Sequence, residues 1–253
     1  MLRKARGLLG GRTPGGVAGG AAADGGPAVV TRTLIGLCFL FFVLGPVSGL
    51  NPAHGTGAEL ITARNDHFRL WGVVPAELFG GSPEALLTPL TAFFVHGGWL
   101  HLLGNLLFLH VFGPLLEARL GPARYLLLHA GTGYLALAAF AAADPASDQP
   151  LVGASGAVSG VLGAFLLLFP RARVTSLFPF LFFLPLRFPA WVVLPFWFAL
   201  QWPAARGAAE GSGVAYLAHL TGFLTGFLWA WARYGGGTRV SSADRATEGD
   251  SQP

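Results

Sequence analysis

Charge is scarce in this sequence. Asp, Glu, Lys and Arg make up 11% of its 253 residues, where a soluble domain carries about 25%. That shortage excludes an ordinary water-soluble globule, and a hydrophobic share of 53% points the same way. Lysine is nearly absent: Lys4 stands alone, so the net charge of +4 is carried by arginine. The arginines are scattered between apolar runs rather than clustered, which excludes a nucleic-acid-binding face. Cysteine is reduced to Cys38, inside an apolar run, so a disulfide framework and a thiolate metal site are excluded too. What remains is the composition of a polytopic membrane protein.

Residues 1–28 are rich in Gly and Ala and carry Arg3, Lys4, Arg6 and Arg12. They read as a flexible basic tail retained on the cytoplasmic side, since no apolar core of signal-peptide length follows directly. A first span is expected at Thr33–Val47. The long segment 48–87 mixes charges with apolar patches and reads as a structured interfacial loop. Further spans are expected at Trp99–Leu116, Tyr125–Ala142 and Ser155–Phe169. Residues 174–188, broken by Pro179 and Pro185, read as interfacial or partly re-entrant. A fifth span is expected at Pro189–Trp202 and a sixth at Val214–Trp231. Residues 235–253 are polar and read as a disordered cytoplasmic tail. The expected fold is all-α, with six transmembrane helices over residues 29–234.

Basic residues fall in alternate loops. By the positive-inside rule both termini are cytoplasmic, and spans two, four and six run from outside to inside. Ser155, His101, Asn105 and His219 then lie near the outer ends of three parallel helices, at similar depth.

Polar side chains inside a bilayer are costly, which makes them candidates for function. Ser155 opens a span within Gly153-Ala154-Ser155-Gly156. Glycine admits a close backbone approach, and a helix start offers unpaired N–H groups. Gly156 and Gly160 are four apart, as are Gly222 and Gly226 beside His219. Such spacing permits close helix contact. If those faces meet, His219 reaches Ser155, and imidazole is the usual base for a serine nucleophile. No carboxylate lies in these spans, so a Ser–His dyad is expected rather than a triad. His101 and Asn105 share a helix face and can donate to an oxyanion with the Ser155 N–H. Ser159 is a rival nucleophile on the same face, or a hydrogen-bonding neighbour of the pair. A small-residue packing face and an interhelical Asn105 hydrogen bond are the bland alternatives.

No metal site or cofactor is expected. His101 and His110 are nine apart, on opposite helix faces, without a carboxylate or thiol beside them. His110 and His129 read as packing or interfacial residues, and His54 and His67 as loop residues without a visible partner. Glu117 and Arg119 read as an ion-pair network fixing the loop to the third span.

Four motifs in order resemble the rhomboid family of intramembrane serine proteases, over roughly residues 33–232. His96-Gly97-Gly98-Trp99-Leu100-His101-Leu102-Leu103-Gly104-Asn105 is similar to its histidine–asparagine motif. Gly113 with Glu117 and Arg119 is similar to its Glu-x-Arg element. Gly153-Ala154-Ser155-Gly156 matches its Gly-x-Ser-Gly motif, and Ala218-His219 with Gly222 and Gly226 its base motif. The resemblance implies a six-helix bundle in the bilayer of a bacterial plasma membrane, cleaving transmembrane protein substrates without a cofactor. Ser155 would be the nucleophile, His219 the base, and His101 and Asn105 the oxyanion support. Gly153, Gly156, Gly222 and Gly226 would shape the site. The sequence departs from the family's pattern twice. Ser159 stands where many bacterial members carry an aromatic, and Arg69 and Trp71 are separated where some carry an adjacent Trp-Arg pair. A catalytically inactive relative that binds membrane clients is the alternative reading. A transporter is a third, but no internal repeat supports it.

Overall fold

The computed structural model describes residues 27–178, 184–207 and 216–235, with the backbone alone at 176–178, 184 and 201–207. The expected tails lie outside this range save for residues 27–28 and 235. In chain order the helices are α1 Val29–Leu44, α2 Ala58–Trp71, α3 Pro75–Phe79, α4 Thr88–Thr91, α5 Trp99–Leu120, α6 Pro122–Ala143 and α7 Ser155–Leu168. Two strands follow, β1 Arg173–Phe178 and β2 Leu184–Pro189, and then α8 Ala190–Gly207 and α9 Tyr216–Tyr234.

Local chemistry explains the long elements. α5 is leucine-rich and ends on Gly121 at φ +80°, a left-handed position that favours glycine. Pro122 then opens α6, where its missing N–H costs nothing. At 22 residues each, α5 and α6 are long and apolar enough to cross a membrane. Each reaches about 33 Å. α1 and α7, with 16 and 14 residues, reach only about 24 and 21 Å.

α7 is short because the chain reaches Ser155 as non-helical backbone. That backbone is satisfied within the protein. Val73 and Leu151 exchange two hydrogen bonds of 2.8 Å, the Ala76 N–H donates to the Ser147 carbonyl, and the Gly153 N–H donates to the Ala92 carbonyl at 2.9 Å. Irregular backbone at membrane depth is tolerated only when it is buried in this way.

Residues 173–189 correct the all-α expectation. β1 and β2 pair antiparallel, Arg173 opposite Pro189 and Thr175 opposite Arg187. Pro185 and Pro189 disfavour a helix across the second strand. Pro185 and Pro189 lie within a two-stranded pair, whose outer edges need no ladder partner.

The tightest contact is between α7 and α9. A Cβ on Gly222 would collide with the Gly156 carbonyl oxygen, and one on Gly226 with that of Gly160. Both helices advance four residues together, so they run parallel, as expected from the glycine spacing. On the other flank of α7, a Cβ on Gly160 would strike Thr132 of α6.

One apolar cluster joins the start of α1, the ends of α5, α7 and α9, and β1, through residues such as Leu34, Leu116, Phe165, Val174 and Ala230. A second, with Val73, Ala92, Phe93, Leu151 and Ala154, packs the first loop beneath the start of α7.

Glu117 does not fix the loop to the third span. It is buried, and its carboxylate accepts from the Val30 N–H (2.9 Å), the Thr31 N–H (2.8 Å) and the Thr31 hydroxyl (2.7 Å). Ala28 supplies no side-chain cap to α1, so the carboxylate from α5 serves as one. Arg119 instead lies over the Tyr234 ring, 5.5 Å from its centroid, tying α5 to α9. His67 and His54 also find partners: the His67 ring lies tilted against Phe41 of α1, and His54 reaches the Leu44 carbonyl at 2.9 Å.

Candidate active site

A cavity of about 790 Å³ lies among the starts of α5, α7 and α9. Ser155, His219, His101 and Asn105 all line it, with Trp197 and Phe108 on its wall. The structure therefore brings together the four side chains singled out from sequence.

Ser155 is the first residue of α7, half-buried, and no side chain caps the helix start. The N–H groups of its first turn lack intrahelical partners and concentrate the positive end of the helix dipole. Gly153 precedes it at φ +122°, and a Cβ there would come within 2.7 Å of His101 Nε2. Glycine is required twice over, by the dihedral and by the imidazole pressed against it.

His101 is oriented from its other nitrogen. The Gly97 N–H donates to Nδ1 at 3.3 Å. A neutral imidazole that accepts at Nδ1 carries its proton on Nε2, so the N–H faces the turn before Ser155. Asn105 Nδ2 donates to the His101 carbonyl at 3.0 Å. This holds the amide and leaves its second hydrogen for the cavity. The arrangement offers two side-chain donors and a helix N-terminus to an anion forming at Ser155.

Ser159 is buried, and its hydroxyl donates to the Ser155 carbonyl at 2.7 Å. Its proton is committed to its own helix. His110 is exposed, and His129 is buried against Phe93, both apart from the cavity.

A Rhomboid domain profile matches residues 83–235. The chain belongs to the rhomboid family. Similar relatives include "Rhomboid protein 1, mitochondrial" of Saccharomyces cerevisiae, 36% identical over 143 residues, which cover 54% of this chain and 39% of that protein. Another is "Putative rhomboid protease YdcA" of Bacillus subtilis, 41% identical over 81 residues, 32% of this chain and 39% of that protein. The matched part thus spans about two fifths of the length of each relative. Rhomboids are integral membrane proteins, typically intramembrane serine proteases.

With Ser159 one turn after Ser155, the rings against His219 come from elsewhere. Trp197 of α8 lies 6.2 Å away, tilted by 34°, and Tyr216 of α9 lies 5.9 Å away, edge-on. Sequence reasoning missed Trp197 in this role, and only its place in a proline-bearing span hinted at it. The sequence names His96 only as the start of the histidine–asparagine motif, without a role of its own; its ring sits edge-on to His101 at 5.2 Å. Burial, reinforced by His101, holds the His96 imidazole down to about 3, against a smaller opposing pull from the Phe94 carbonyl. His96 is thus a neutral wall behind His101. The backbone ties from Val73 and Ala92 to the turn before Ser155 carry no side-chain signal at all.

Proposed function

We propose that this rhomboid is an intramembrane serine endopeptidase that cuts transmembrane protein substrates with a Ser155–His219 dyad. The carrying observation is the shared cavity: four polar side chains from three parallel helices, in a chain where such groups are scarce. Six helices, α1 and α5 to α9, cross the bilayer in this reading. Both termini face the cytoplasm, and the cavity opens toward the opposite side.

A substrate helix unwinds near the outer leaflet and presents a peptide carbonyl. His219 takes the Ser155 hydroxyl proton as Oγ bonds to the carbonyl carbon. The carbonyl oxygen becomes an oxyanion and meets the His101 Nε2–H, the Asn105 amide and the Ser155 N–H. The C–N bond breaks as His219 passes its proton to the leaving amine. Water, deprotonated by His219, then hydrolyses the ester and restores Ser155. The chemistry draws on no cofactor.

Labelling of the purified full chain with a serine-reactive fluorophosphonate tests the reading. Ser155→Ala abolishes both labelling and cleavage of a transmembrane substrate, while Ser159→Ala keeps labelling. Labelling that survives Ser155→Ala, or is absent from the unaltered chain, removes the dyad.

A further inference from the structure

At the end of the bundle opposite the cavity, arginine is nearly unopposed. Arg32, Arg119, Arg124, Arg171, Arg173, Arg187 and Arg233 gather there, at the helix ends and the hairpin joined by the first apolar cluster. The acid among them is Glu117, which is buried and already accepts three hydrogen bonds from α1. Residues 149–209 contain no Asp or Glu. Among the described residues the one ion pair is Arg69–Glu77, in the first loop.

The hairpin sorts these charges by face. Residues directly opposite in an antiparallel pair share a face, and alternate residues switch. Val174 and Phe188 therefore share one face, and Val174 is buried in the bundle's core. Arg173 and Arg187 share the other and are exposed. Their positions are diagonal neighbours, about 7–8 Å apart. Two like charges at that spacing oppose each other unless an anion joins them. A notch of about 790 Å³ lies beside the hairpin's base, lined by Arg171, Phe169 and Trp191 among others. Trp191 is 57% exposed, and an exposed indole flanked by cations suits headgroup depth.

We propose that the basic face of the β1–β2 hairpin, with the Arg171–Trp191 notch beside it, binds the phosphodiester headgroup of an anionic phospholipid. Guanidinium forks match phosphate oxygens in pairs, which an ammonium cannot do. The neighbouring leaflet supplies the ligand: this end carries the excess of arginine that marks the cytoplasmic side, where anionic lipids concentrate. The inference is independent of the protease reading.

The test uses the full chain in a neutral detergent, titrated with short-chain phosphatidylglycerol and, separately, with short-chain phosphatidylcholine. Bound lipid is counted by native mass spectrometry, and size-exclusion chromatography checks the fold. We expect phosphatidylglycerol to bind well above phosphatidylcholine. Arg173→Gln with Arg187→Gln should weaken it roughly 25-fold, about fivefold per arginine. If the double variant does not fold, Arg187→Gln alone reads the fivefold step. Arg124→Gln, an exposed arginine at the same end but off the hairpin, should leave binding unchanged. Equal weakening by Arg124→Gln overturns the site in favour of a diffuse field. Equal binding of the two lipids overturns it as well, as does competition by inorganic phosphate at the lipid's own concentration.

Discussion

Helix α9 meets α7 through bare backbone and meets α8 through aromatic rings. In the first contact, glycine Cα atoms lie on the carbonyls of Gly156 and Gly160, with no room for a methyl group. In the second, Phe198 packs on Phe223 at 4.7 Å, and Trp197 reaches Phe223 and His219 at 6.3 and 6.2 Å. Main chain against main chain has one fit, because nothing in it can rotate. Rings on flexible stems have several. The helices that carry Ser155 and His219 thus sit on the rigid contact, while the adjustable one borders the cavity from the side. Under the proposed function, that suits α8 to yield to an entering substrate helix, since its outer residues Trp191, Phe196 and Leu200 are exposed.

The strongest challenge to this contrast is Gly226→Leu. Its Cβ would come within 2.7 Å of Gly160 Cα, and backbone cannot swing away. We expect no monodisperse folded protein by size-exclusion chromatography. A folded Gly226→Leu chain, no less stable than a variant of α8, would erase the distinction between the contacts.

Asn105→Ala comes next and acts on chemistry. Loss of one oxyanion donor costs about 10²–10³ in turnover, whereas an interhelical hydrogen bond in a membrane is worth only about 0.6 kcal/mol on average. Substrate cleavage should fall by two orders of magnitude or more, with slow fluorophosphonate labelling retained. Near-normal turnover with a large drop in melting temperature would make Asn105 structural.

Glu117→Gln probes an attachment of a third kind, a carboxylate gripping the start of α1. Hydrogen bonds to a charged group are worth about 1.5–3 kcal/mol. Melting should fall by that order, while labelling at low temperature keeps its rate. A labelling rate that falls with unchanged melting would tie this end to the cavity.

The smallest effect is expected from Trp197→Leu, which keeps an apolar side chain of smaller volume and removes the ring. Aromatic pairing adds about 0.5–1.5 kcal/mol beyond burial, so stability should change little. Fluorophosphonate labelling should quicken by a few-fold as the wall loosens. Slower labelling would mean that Trp197 holds His219 in its working orientation.

Much of the site was legible because its signals repeat at helical spacing. The glycine pairs and the His101–Asn105 pair each stand four apart, so sequence alone fixes which face they share. Their meeting in three dimensions followed from orientation. The hairpin was not legible. Its prolines argued against a helix, but strand pairing depends on a partner six to sixteen residues away, which no helical spacing reveals. The partner of Glu117 was hidden for a different reason: it binds the N–H groups of residues 30 and 31, and every residue except proline owns one. The same holds for the turn before Ser155, which Val73 and Ala92 secure by main-chain groups.

That last feature has a genetic consequence. A turn held by peptide groups asks little of the exposed side chains in the segment that holds it, whereas Val73 and Ala92 themselves are fixed by their burial in the second cluster. The turn is not indifferent to length. Deleting one residue between positions 73 and 92 would shift one anchor relative to the other and drag Gly153 off His101. The exposed positions of the first loop should therefore drift in composition across descendants of this chain while its buried ones stay apolar, and insertions and deletions gather outside the interval from 73 to 92.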